Sequence, residues 1–129
     1  MNADNNYNQV FSKRTKSLTI TIINELSEIP YSDKISNIRK QIFRSASSTA
    51  SNYRAMCRGR SLKEKYSKIC IVVEEADETL FWLELIDELN LLETEKINSL
   101  LKKADEIVKS TSSYKKKLGE DLKRSNNQL

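Results

Sequence analysis

Glycine and proline punctuate this chain at only three places, Pro30, Gly59 and Gly119, in 129 residues. A sheet needs a turn at the end of each strand, and turns draw on these two residues for backbone angles that others adopt poorly. A many-stranded fold is therefore excluded on punctuation alone. What remains is long helices joined by few breaks, and four stretches of apolar residues at helical spacing fill the intervals.

The first stretch covers about residues 7–29, with Phe11, Leu18, Ile22 and Ile29 on one stripe. Thr19, Ile20 and Thr21 resemble a strand locally, but the longer period favours helix, and Pro30 stops it because the residue before a proline avoids helical geometry. Ser32 is a good N-cap for a second helix over about 33–56, striped by Ile35, Ile38, Ile42, Ala46 and Tyr53. Its small-residue run, Ser45 to Ser51, has the composition of a linker. The stripe nevertheless continues through it in phase, so it reads as helix that a neighbour can approach closely. Ser61 and Glu64 form a capping box for a third helix over about 61–89, along Leu62, Tyr66, Ile69, Val73, Ala76, Leu80, Leu83 and Ile86. A tight turn at Asn90-Leu91-Leu92 leads to a fourth over about 93–118, where Gly119 marks the end. Short connections predict an all-α, antiparallel up-down four-helix bundle, one domain over residues 7–123, with polar tails at 1–6 and 124–129 expected to be disordered.

The chain contains no histidine. That removes the usual general base near neutral pH and the commonest metal ligand, and with them bundles built on Glu-x-x-His metal sites and histidine-dependent nucleases. An enzyme would have to work through Asp77, Glu78 or Cys57, and nothing in their spacing suggests a pocket. No catalytic residue, cofactor or metal is expected. Cys57 and Cys70 lack metal or redox spacing and read as reduced cysteines at packed positions. Without a long apolar run or a leader after Met1, the sequence predicts a cytoplasmic location and no membrane partner.

Charge is unevenly distributed: residues 1–60 and 94–129 are basic, and residues 61–93 are acidic. Glu74, Glu75, Asp77 and Glu78 could pair with Arg39, Arg44 or Arg54, or form a solvated face. Arg54, Arg58, Arg60 and Lys63 cluster at the break between the second and third helices, and Lys115, Lys116 and Lys117 near the end of the fourth. Up-down packing would bring the two clusters to one end, and such patches attract phosphate backbones without sequence preference. Each cluster taken singly reads better as a solubilising charge run, and only their convergence favours nucleic acid. The third helix also has apolar surface to spare: Ile71, Trp82, Leu85 and Leu89 trace a second line, and Phe81 lies off both. A helix apolar on nearly every side is usually buried on every side, so these five residues are expected to meet another copy of the chain. A wide contact with both neighbouring helices is the competing reading.

Several runs carry a resemblance: Ile42-Phe43-Arg44-Ser45-Ala46-Ser47-Ser48, Ala50-Ser51-Asn52-Tyr53-Arg54-Ala55, Cys57-Arg58 and Arg60-Ser61, then Lys68-Ile69 and Glu75-Ala76-Asp77-Glu78-Thr79-Leu80-Phe81-Trp82-Leu83-Glu84-Leu85. Together they resemble the bacterial four helix bundle proteins, among them proteins encoded in intervening sequences of 23S ribosomal RNA genes. The accessory protein of diversity-generating retroelements is similar to that family. The resemblance implies a ring-like homo-oligomer, a homopentamer first, whose basic surface contacts RNA or DNA, and a reverse transcriptase where a retroelement encodes the chain. Ala55 stands where many relatives carry an acidic residue, so no role of that carboxylate transfers. The resulting expectation is a non-enzymatic accessory or scaffold protein, the alternative being a purely protein–protein oligomer.

Overall fold

The computed structural model describes residues 3–127, and among them finds four helices and no strand. These are α1 (Ala3–Ser27), α2 (Asp33–Cys57), α3 (Leu62–Glu88) and α4 (Thr94–Asn127). Side chains terminate them as the sequence suggests. Ile35 N donates to the Ser32 hydroxyl at 3.3 Å and Glu64 N to the Ser61 hydroxyl at 3.1 Å. The Glu64 carboxylate takes the amide of Arg60 rather than that of the cap itself. At the other end of α3, Asn90 adopts the left-handed conformation at φ 54°. Leu91 N then donates to Ile86 O and Asn90 N to Asp87 O, which satisfies two carbonyls the helix leaves open.

Two boundaries depart from expectation. Helix replaces the expected tails at residues 3–6 and 124–127, while Met1, Asn2, Gln128 and Leu129 lie outside the described residues. Gly119 does not stop α4: its backbone stays at negative φ, and a methyl group there would sit 3.2 Å from the Tyr66 ring. The glycine is an approach point for α3, not a C-cap.

Each helix packs on its sequence neighbours, α3 most extensively, and α1 closes on α4 only lightly. The shared core runs from Leu26, Ile35, Leu83, Ile86, Ile97 and Leu100 at one end to Phe11, Tyr53, Met56, Ile69 and Leu118 at the other. Between them lies a band of small and hydroxyl side chains. The Ser45 and Thr79 hydroxyls meet at 2.9 Å between α2 and α3, and the Thr19 hydroxyl lies 3.0 Å from Ala46 O between α1 and α2. The run from Ser45 to Ser51 is thus continuous helix whose small residues let neighbours close in. On α3 the buried seam runs through Val72 and Thr79, with Val73 and Leu80 only half-buried. Because α2 and α4 grip α3 from both flanks, the seam bisects the apolar arc instead of following its most hydrophobic line.

Candidate nucleic-acid interface

Long-range contacts bring four segments together at one end of the molecule. The Tyr53 hydroxyl donates to Asn8 Oδ1 at 3.1 Å, and Asn8 Nδ2 donates to the Tyr114 hydroxyl at 3.5 Å. Asn8 is only 8% exposed, so one amide ties α1, α2 and α4 together. Burial pushes the Tyr53 phenol well above the usual tyrosine range, which keeps it a donor. Its ring stands 4.8 Å from Phe11, which in turn stacks on Tyr7 at 5.8 Å. Tyr66 of α3 completes the group against Gly119 of α4.

Both basic clusters adjoin members of this group in sequence, Arg54 and Arg58 after Tyr53, Lys63 before Tyr66, and Lys115 to Lys117 after Tyr114. Arg54, Arg58, Arg60 and Lys63 are exposed at the end of α2 and the start of α3. Lys116 and Lys117 are exposed on α4, and Lys115 is half-buried. Among the described residues, none of the seven pairs with a carboxylate. Gly59 shapes the turn by close approach: a Cβ there would lie 2.7 Å from Lys65 Cγ and 3.1 Å from Met56 O. The Lys65 stem can therefore cross the turn and add its charge to the same end.

The structure also adds cations that sequence reasoning missed. Lys16 lines a groove of about 670 Å³ between α1 and α2 with Ile20, Ser47, Ser51, Arg54 and Arg58. Lys13 lines a second hollow that shares Ser12, Arg54 and Arg58 with the first. One signal was present in the sequence: neither residues 5–24 nor residues 34–60 contain a carboxylate. Only the pairing of α1 with α2 turns those two acid-free stretches into facing walls.

The acidic residues of α3 divide in two. Arg44 binds Glu75 at 3.0 Å and also Glu78, whose carboxylate accepts from Trp82 Nε1 at 3.1 Å. Arg39 instead donates to Ile29 O, and Arg54 joins the groove. Glu74 and Asp77 face outward. Of the second apolar line and Phe81 beside it, Trp82 and Leu85 are half-buried, Trp82 against the protomer's own core, while Ile71, Phe81 and Leu89 are 37%, 50% and 41% exposed. Cys57 lies in the lower hollow near Asn8 O, and burial pushes its thiol up, which disfavours the nucleophilic thiolate. Among the described residues no three His, Cys, Asp or Glu gather as a metal site, and no helix is long and apolar enough to cross a membrane.

Comparison with known proteins places this geometry in a family. The model of the 23S rRNA-intervening sequence protein family matches residues 8–113. No curated protein matches the chain. Among solved structures, a protein of unknown function from the S23 ribosomal protein family of Bacteroides thetaiotaomicron superposes with a TM-score of 0.76 at 28% identity, covering 84% of this chain and 97% of that one. The family match spans all four helices and both walls of the groove, and the chain belongs to the 23S rRNA-intervening sequence protein family.

Proposed function

We propose that this protein is a non-enzymatic, cytoplasmic accessory protein that self-associates and contacts nucleic acid, or a ribonucleoprotein, through the basic end of an antiparallel up-down bundle. The up-down order is supported by contacts whose partners fall in number as α1 rises: Asn8 with Tyr53 and Thr19 with Ala46 on α2, then Asn8 with Tyr114, Arg14 with Glu106 and Glu25 with Lys96 on α4. The observation that supports the nucleic-acid reading is the Tyr53–Asn8–Tyr114 bridge, which joins the segment that leads into Arg54, Arg58, Arg60 and Lys63 to the one that leads into Lys115, Lys116 and Lys117, with Arg54 and Arg58 also lining the groove. Unpaired cations on a firm floor neutralise phosphates at little ordering cost. RNA is the first ligand to test, since the matching family is described by an rRNA intervening sequence. A reverse transcriptase is a partner to test where the neighbouring gene encodes one.

Self-association rests on Ile71, Phe81 and Leu89, large apolar side chains exposed on one helix. A homopentameric ring is the assembly proposed. The same patch favours the second reading, a structural oligomer with no nucleic-acid role.

Fluorescence anisotropy with a labelled RNA hairpin separates the two. Affinity should fall at least about tenfold between roughly 50 and 200 mM salt. The variant R60Q/K63Q/K116Q/K117Q should bind more weakly and lose most of that salt dependence. Absent binding at the lower salt, or affinity indifferent to salt, would leave the purely structural reading.

A further inference from the structure

Two charged surfaces of this molecule are opposite in sign and alike in having apolar ground between the charges. On α3 and the turn after it, residues 69–95 contain no Lys or Arg. The outward face carries Glu74, Asp77, Glu84 and Glu88 around exposed Ile71, Phe81 and Leu89. In the α1–α2 groove, Lys16, Arg54 and Arg58 stand around a floor of Ile20, Ser47 and Ser51, and Ile20 is half exposed.

We propose that the outer face of α3 in one protomer docks into the α1–α2 groove of another, so that copies join head to tail. The proposal rests on the self-association reading above and names the surface that the α3 face meets. Three observations favour this occupant. A face-to-face pairing of two α3 helices would set Glu74, Asp77, Glu84 and Glu88 against their own kind, a costly arrangement where water is excluded. A phosphate backbone would satisfy Lys16, Arg54 and Arg58 but gain nothing from Ile20, Ala50 and Ala55, which the same groove also presents. The groove, about 17 Å from Ser47 to Arg58 on α2, is long enough for the part of the face from Ile71 to Phe81, about 15 Å, with Glu84, Glu88 and Leu89 continuing beyond it.

Two different patches meeting head to tail make a heterologous contact, which closes into a ring or continues as a filament according to the angle between neighbours. Each protomer then uses its acidic helix and its basic groove once. The end bearing Arg60, Lys63 and Lys115 to Lys117 is left open to nucleic acid.

The test is light scattering coupled to size-exclusion chromatography on the full chain, with circular dichroism to establish that each variant keeps its helices. R54E/R58E reverses the groove, and E74K/D77K reverses the face; all four side chains are exposed in the protomer. The wild-type chain should run as an oligomer, and each variant alone should dissociate at least about tenfold more readily. An equimolar mixture of the two should form species larger than either variant alone, although strict alternation cannot close a five-membered ring, because the intact face of one meets the intact groove of the other and the two reversed surfaces also match. If E74K/D77K dissociates while R54E/R58E assembles like the wild type, α3 meets some other surface and the groove proposal is overturned. It is overturned equally if both variants dissociate and their mixture forms nothing larger than either variant alone. If R54E/R58E stays assembled but loses hairpin binding in the anisotropy assay, the groove is a nucleic-acid site instead. A wild-type chain that is monomeric removes the self-association reading itself, and this inference with it.

Discussion

The two ends of the bundle are filled on different principles. On the up-down order proposed above, Leu26, Leu83, Ile86, Ile97 and Leu100 share one end and fill it as aliphatic volume with no hydrogen bond between side chains. At the opposite end the same depth is filled by Phe11 and Met56 together with Tyr53, Asn8 and Tyr114, joined by hydrogen bonds across three helices. The dry end asks only that volumes fit, and many aliphatic combinations would serve. The polar end asks for particular atoms in particular places, because a buried amide without partners costs more than the bond it makes when satisfied. The cations stand at the end that is held more specifically.

That contrast can be broken or sharpened by substitution, read as urea unfolding midpoints followed by circular dichroism. Leu83→Ala should have the largest effect, a loss of about 3 kcal/mol, since Leu83 is fully buried and the cavity has little room to relax. A loss below about 1 kcal/mol would mean the dry end is loosely packed. Tyr53→Phe should cost about 1 kcal/mol, because Asn8 Oδ1 is left without its donor while the ring is kept. No loss at all would show that the network is decoration, and the contrast between the ends would collapse. Gly119→Ala should stay within about 0.5 kcal/mol of the parent, the gain in helix propensity being offset by crowding at the Tyr66 ring. A clear stabilisation would show that the polar end yields more readily than its hydrogen bonds suggest.

Much of the fold was readable because a helix buried on one side advertises the fact every three or four residues. Ser32, Ser61 and Asn90 marked ends in the same local way. What the sequence hid depended on partners far along the chain. Asn8 is one polar residue among many at the start of the first helical stretch, and its burial is decided by tyrosines 45 and 106 residues away. Gly119 carries the ordinary signal of a helix stop, overruled by a ring on another helix. Val72 and Thr79 replace Val73 and Leu80 on the seam because α3 is gripped from two sides, which no single-helix pattern contains. Lys13 and Lys16 were visible as charges but not as a groove wall until α1 lay beside α2.

The light closure of α1 on α4 has a consequence of its own. Across that line the cross-links include Arg14 with Glu106 at 3.3 Å and Lys96 with Glu25 at 3.1 Å, each at the surface, besides the Asn8–Tyr114 bond at the polar end. Exposed ion pairs hold weakly and are screened by salt. Ionic strength therefore bears on this line more than on the others, since salt that screens the basic end also weakens the two ion pairs beside it. The amides of α1 should be the first long stretch to exchange with solvent as that seam parts.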